Sequence, residues 1–383
     1  MKVVVAGAGI GGLLAARALA QRGHAVVLVE RATAFRPVGA GIILATNALA
    51  TLDALGLDVR PAGRRLGKLD IVNEAGAVIS PLVLPEGGPL EACSFHRAEL
   101  HERLVAALPP SVEVRLGVEL DAIEVGAAGT ALRFTDGSHL HVDLVIGADG
   151  AHSRVRAALH PEAKLRYSGQ TCWRTVVPAP DLAGTSEAWG QGGHRFGTVP
   201  LRDGRAYLFL VSPAEEGAPT PPWAELAARF GAFGGDAARV WPGVRAEGLV
   251  HHDLHELDAP VWGNPRAWLL GDAAHAMTPN LGQGAAMAIE DVGALALHLG
   301  EPLEQAHAAW VADRSARVAR VHAESARMGR MAALTNPALR WMRDTAFRLT
   351  PPSVGVKVMR ALVAPGQALA GRVAGPEGQA RST

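Results

Sequence analysis

One short stretch near the start restricts the fold more than any other. Val3-Val4-Val5-Ala6 is a continuous apolar run of the kind that fills a buried parallel strand. Gly7-Ala8-Gly9-Ile10-Gly11-Gly12 follows at once, and Leu13 to Arg22 reads as a helix ending near Gly23. Ala25 to Val29 is a second apolar strand, closed by Glu30. This places G-x-G-x-x-G between a strand and a helix, with an acid at the end of the next strand. Gly7 permits the tight turn, Gly9 lets a pyrophosphate approach, and Gly12 lets the helix lie close on the sheet. Glu30 suits a ribose diol and repels a 2′-phosphate. The expected ligand is therefore FAD or NAD.

A second stretch, Ala267 to Leu299, has the same logic. An apolar strand runs into Gly271-Asp272, a loop carries Pro279, and a helix starts among Gly282, Gln283 and Gly284. Free N–H groups at a helix start favour an anion or an electron-rich ring edge. Asp272, at the carboxyl end of its strand, points a carboxylate at the same crevice.

The third stretch is Gly147-Ala148-Asp149-Gly150-Ala151-His152-Ser153-Arg154-Val155-Arg156. Asp149, His152 and Ser153 are too close in sequence to converge easily as a hydrolase triad, and the chain has no G-x-S-x-G elbow. Arg97 opens an amphipathic helix to Leu108 and can reach a phosphate or simply face solvent. His251, His252, Asp253 and His255 resemble a metal cluster. They lack a Cys partner and an H-E-x-x-H arrangement, so a polar strand is the better reading and no metal is expected. Gly63 to Lys68 is too short for a phosphate loop and lacks its Ser or Thr.

Composition narrows the classes further. The chain has 383 residues, 49% of them apolar and 19% charged, which is globular. Lys+Arg and Asp+Glu number 37 each, so no net field favours nucleic acid or an anionic membrane. Two distant cysteines, Cys93 and Cys172, argue against a disulfide framework or a redox dithiol. Val3 to Ala6 reads as a strand and not as a signal peptide. No apolar run is long enough for a membrane span. The expectation is a cytoplasmic protein, monomeric or homodimeric.

The expected fold is α/β: a Rossmann-like FAD-binding domain, an inserted β-sheet substrate domain and C-terminal helices. Residues 1–70, 94–165 and 253–335 make the first, and 71–93 and 166–252 the second. Residues 336–383 make the C-terminal helices and a flexible tail. Gly39-Ala40-Gly41-Ile42-Ile43-Leu44 follows the second strand, and Thr46 is placed to cap a helix from Asn47 to Leu55. Leu69 to Ser80 reads as a strand pair. Val112–Arg115, Leu120–Val125, Ala131–Thr135 and His139–Ile146 read as a meander. Gln170–Val177, His194–Pro200 and Arg205–Val211 are strands of the inserted lobe, with Arg195 and Tyr207 on adjacent ones. The chain ends with helices at Leu303–Leu334, Asn336–Phe347 and Val354–Leu362, and then a fraying segment from Gly366.

Gly7 to Gly12 with Glu30, Asp149-Gly150 with Ser153 and Arg156, and Gly271-Asp272 with Pro279 and Gly282 to Gly284 together resemble the three fingerprints of class A FAD-dependent aromatic monooxygenases. This is the 4-hydroxybenzoate-hydroxylase fold family, and the chain is most similar to its salicylate, 3-hydroxybenzoate and urate hydroxylase-like branch. The resemblance runs from Val3 to about Pro365. It implies that Glu30, with Arg31 and Val118 beside it, holds the adenosine end of FAD. It makes Arg97 the pyrophosphate arginine, ties Asp149 and Gly150 to FAD and NAD(P)H, and has Arg156 close that motif. Asp272 then holds the ribityl chain, and Pro279, Gly282, Gln283 and Gly284 lie against the isoalloxazine. Arg195, Tyr207 and Pro279 take positioning roles near flavin and substrate. Thr46-Asn47 departs from the Pro-Asn of many relatives. The Trp-x-Trp-x-Ile-Pro motif of halogenases is absent.

The implied chemistry consumes NADH or NADPH and O2 and hydroxylates a small aromatic or heteroaromatic ring through a C4a-hydroperoxyflavin. The alternatives are a flavin oxidase or reductase on the same scaffold, or a NAD-binding protein without catalysis. No second G-x-G-x-x-G is present for a separate nicotinamide domain.

Overall fold

The computed structural model describes residues 1–35, 40–300 and 302–379. Gly39 and the last four residues lie outside that set.

Val3 to Ala6 sits at the centre of a six-stranded sheet. The order is Gly263–Asn264, Ala267–Leu269, Leu144–Gly147, Lys2–Ala6, Ala25–Glu30, Glu113–Leu116. All pairs are parallel except the one at the Gly263–Asn264 edge. Because strand side chains alternate, Val3, Val5, Val26 and Leu28 enter one core with the helices Ile10–Gln21 and Gly284–His298. Val4, Ala6, Val27 and Val29 enter another, beneath an antiparallel meander contributing Leu120, Leu132, Phe134 and Val142. Burial on both faces explains why these strands read as continuous apolar runs.

The expected strand His139–Ile146 is two strands in different sheets. His139–Val142 closes the meander and Leu144–Gly147 joins the parallel sheet. Asp143 makes the break. Its carboxylate accepts the Lys2 N–H at 2.7 Å and its own N–H donates to the Lys2 carbonyl. Thr46 is not a cap; the helix Thr46–Ala54 begins after Ala45, and the Thr46 hydroxyl accepts from Gln367 Nε2 at 3.1 Å.

A seven-stranded sheet makes the second lobe. Its order is Val250–Leu257, Leu165–Pro178, Arg205–Pro213, Arg195–Pro200, Thr185–Trp189, Leu69–Asn73, Val78–Ser80. Val250–Leu257 crosses the boundary expected between 252 and 253. One face packs under the helices Trp223–Phe230 and Asp236–Val240 through Trp173, Phe196, Leu208, Leu210 and Phe233. The opposite face carries Arg195 and Tyr207. A small antiparallel sheet of Gly41–Ala45, Ala92–His96 and Arg64–Arg65 lies between the lobes, where Gly41 meets the Tyr207 ring.

The C-terminal segment differs from expectation. Pro352–Gln379 is one helical segment, broken only at Gly375, and Leu362, Val363, Leu369 and Ala370 are buried. Gly366, read as a sign of fraying, is instead a close approach: a Cβ there would collide with Asn47 and Glu290. Among the described residues no helix is long and apolar enough to cross a membrane.

Candidate cofactor and substrate site

The first crevice opens where Lys2–Ala6 feeds the helix Ile10–Gln21. A Cβ on Gly12 would run into the Gly7 carbonyl, so Gly7 and Gly12 serve the chain's own packing. Gly9 is different: a Cβ there would meet nothing within 4 Å. Gly9 is also the helix N-cap and supplies no side-chain bond, so the first-turn N–H groups face open space. Glu30 sits beside them, with Oε2 accepting from Ala8 N–H at 2.8 Å and Oε1 from Ala32 N–H at 2.9 Å. Val118 is buried and donates its N–H to the Glu30 carbonyl. Arg31 is exposed next to it. Arg97 begins the helix Arg97–Ala106 with an exposed guanidinium and no salt bridge among the described residues.

In the second motif Asp149 is a turn carboxylate. Oδ2 accepts from the N–H groups of Arg154, at 2.7 Å, and Val155, while Oδ1 is buried without a partner. Burial pushes its carboxyl above the ordinary range. Gly150 closes the turn, and Ser153 caps the next helix by accepting Arg156 N–H at 2.9 Å. Neither residue has catalytic geometry for hydrolysis. Arg156 is expected at the cofactor, but its guanidinium donates to the carbonyls of Ala151, Ala273 and Asp272. It ties the second motif to the third. Beyond it lies a cavity of 590 Å³, lined by His152, His160, Lys164 and His255 among others.

The third motif supplies the helix start. Asp272 is exposed, and its Oδ1 lies 3.9 Å from where a Cβ on Gly284 would be. Pro279 is exposed on a short turn ending in Gly282 at φ +62°, a conformation that favours glycine. Gln283 precedes the helix Gly284–His298 and is buried, its Oε1 accepting from Asn47 Nδ2 at 3.0 Å. The Thr46-Asn47 departure thus leaves the Asn in contact with the loop.

Beneath this helix start is a buried charge network that the motifs did not reveal. Asp291 accepts from Gly271 N–H at 2.9 Å and Arg314 Nε at 2.8 Å, and pairs with His275 Nε2 at 2.6 Å. Glu290 binds Arg314, Arg317 and Asn47. Burial alone raises Asp291, but His275 and Arg314 outweigh it and hold the carboxyl at about 2. The available signal was the acid pair Glu290-Asp291 inside an otherwise apolar helix.

On the sheet opposite, Tyr207 pairs in register with Val199 and Val176. Burial raises its hydroxyl to about 12, and the positive charge of nearby Arg174 opposes that shift. The sequence reading passed over Arg174. Arg195, expected to face substrate, is 2% exposed and already paired with Glu187 at 3.2 Å and Gln170 at 3.1 Å. Among the described residues no group of three potential metal ligands forms.

A family model described as an FAD binding domain matches residues 1–326, and the chain belongs to that family. It is an FAD-dependent aromatic monooxygenase in that family's hydroxylase group. It is 39% identical over 369 residues to the 2-heptyl-3-hydroxy-4(1H)-quinolone synthase of Pseudomonas aeruginosa, covering 92% of this chain and 94% of that one. It is 36% identical to the aurachin C monooxygenase/isomerase of Stigmatella aurantiaca, covering 91% and 94%. The crystal structure of Klebsiella pneumoniae HpxO with FAD and uric acid superposes with a TM-score of 0.87 at 25% identity, covering 96% and 97%.

Proposed function

We propose that the protein hydroxylates a quinolone-like heteroaromatic ring carrying an apolar chain. The observation that carries this reading is the face around Tyr207. Val199, Val176 and Phe209 pack with it, and Arg195, further along the same sheet face, is already neutralised by Glu187. Such a wall, apolar around one phenol, suits a ring with one oxygen and an alkyl substituent. The likeness to the quinolone synthase supports the same substrate class.

The cofactor residues form part of the proposal, and so does the domain division given above. The open space at Gly9, the unbonded helix starts and the free Asp272 carboxylate fit FAD. Gly9 N-terminal amides and Arg97 hold the pyrophosphate, Glu30 with Arg31 and Val118 the adenosine end, and Asp272 the ribityl hydroxyls. Bound FAD supplies reduction by NAD(P)H and activation of O2 for transfer of one oxygen atom. The N–H groups of Gln283 and Gly284, at the start of the helix Gly284–His298, would favour negative charge on the ring edge, while the Gly282 N–H is already given to the Pro279 carbonyl at 2.9 Å. Pro279 and the apolar sheet face keep water from the reacting ring. Tyr207 holds the substrate oxygen as a proton donor. Asp149 and Gly150 form the turn that leads to His152, which with Lys164 lines the cavity and suits the phosphates of the nicotinamide co-substrate. The reaction takes place in the cytoplasm.

The test is a panel of 2-alkyl-4-quinolones, hydroxybenzoates and purines. NAD(P)H oxidation and product mass are followed together. Addition of one oxygen atom to a quinolone with tight coupling is expected. Hydrogen peroxide as the sole oxygen product with every compound would favour the oxidase alternative.

A further inference from the structure

The C-terminal helix Pro337–Leu349 is inverted relative to an ordinary surface helix. Two of its arginines point inward. Arg343 is buried, donates to the Met331 carbonyl at 2.9 Å and lies over the Trp189 ring, while Arg340 reaches Glu74. Most of its large apolar side chains are exposed, Trp341 at 67% and Leu349 at 77%, with Leu339 and Met342 exposed as well, whereas Phe347 packs inward against Trp189. Val354 and Val358, one turn apart on the next helix, are exposed on a shared face of it. These six are half of the twelve exposed large hydrophobic side chains among the described residues, gathered within 20 positions. Single exposed apolar residues need no explanation, but so many in one short stretch of chain, a tryptophan among them, mark a contact surface.

Charge decides what it contacts. Residues 337–361 contain five basic side chains and one acid, Asp344, which is tied to Arg343. Arg348, Lys357 and Arg360 are exposed beside the apolar side chains. A two-fold dimer through this face would set the same cations against themselves. An anionic surface would be complemented. Tryptophan and long basic side chains around shallow apolar ones suit the headgroup region of a bilayer.

We infer that residues 337–361 dock the enzyme peripherally on an anionic lipid surface, without crossing it. The chain's balanced total charge conceals this local patch. Docking of this kind would place the catalytic lobe at the source of an apolar substrate, but the assignment stands whatever the substrate is.

The experiment is flotation of the FAD-loaded full chain with phosphatidylglycerol vesicles and, separately, with phosphatidylcholine vesicles. Binding to the first only, weakening with added salt, is expected. R348E/K357E/R360E should weaken that binding on the order of a hundredfold, from the loss of three surface cations. W341S/L349S should also weaken it. Both variants should keep their FAD and melting temperature, which separates docking from folding and from turnover. No flotation with either lipid, or equal flotation with both and no effect of the charge reversal, would overturn the inference. Concentration-dependent self-association in ultracentrifugation that W341S/L349S abolishes would overturn it in favour of a second copy.

Discussion

Arg314 Nε lies 2.8 Å from Asp291 Oδ1 in a place where both side chains are at most 2% exposed. Asp291 in turn receives the N–H of Gly271, so the pair fixes the turn that presents Asp272. Arg314→Leu leaves Asp291 and part of Glu290 without a cation. It should destabilise the fold by about 3–5 kcal/mol. Thermal melting of purified variants checks this, and a loss below about 1 kcal/mol would count against a structural role for the pair.

The same pair sets an acid limit. The Asp291 carboxyl is held at about 2 in the folded chain, below the ordinary value of about 4. A depressed carboxyl stabilises the fold above its unfolded value and loses that contribution as pH falls through its folded value. Stability should therefore drop between about pH 4 and pH 2, by more in the wild type than in Asp291→Asn. Circular dichroism during acid titration measures it.

Gly9 and Gly12 should behave differently despite sharing one motif. Gly12→Ala forces a Cβ onto the Gly7 carbonyl and should impair folding with or without FAD. Gly9→Ala meets open space and should fold normally. It should lose FAD affinity, because the added methyl occupies the approach to the helix start. Melting temperatures with and without added FAD separate the two cases.

Asp272 has an exposed carboxylate with no hydrogen-bond partner among the described residues; only its backbone carbonyl is bonded, to Arg156. Asp272→Ala should leave the stability of the apoprotein within about 0.5 kcal/mol of wild type, read by thermal melting. It should weaken FAD retention about tenfold to a hundredfold, through loss of charge-assisted bonds to ribityl hydroxyls. Unchanged flavin retention through gel filtration would remove Asp272 from the site.

Tyr207 should stay protonated over the working range, since its hydroxyl is raised to about 12. Tyr207→Phe should lower kcat about tenfold to a hundredfold and increase peroxide release. No inflection attributable to Tyr207 should appear in the kcat profile below about pH 10. An inflection there that vanishes in the Phe variant would refute this assignment.

Local pattern made the nucleotide-binding half legible. Val3 to Ala6, Gly7 to Gly12 and Glu30 are contiguous, and their strand–turn–helix geometry follows from sterics within a few residues. Gly282 and the helix start at Gly284 were readable for the same reason. Other features depended on partners far along the chain. Asp143 ends one strand and starts another only because Lys2 lies against it, 141 residues away. Gly366 reads as a loose end until Asn47 and Glu290 are brought against it.

The sequence by itself determined that this chain binds a dinucleotide without a 2′-phosphate, and by resemblance that the dinucleotide is FAD. Those properties reside in backbone amides and glycines whose positions are set locally. Tertiary structure alone decided which side chains are free to act. It neutralised Arg195 with Glu187, turned Arg156 toward the chain's own carbonyls, and hid Asp291 under the helix start. The reason is physical: a charged side chain's role depends on which group neutralises it and how much water reaches it, and both are set by residues distant in sequence.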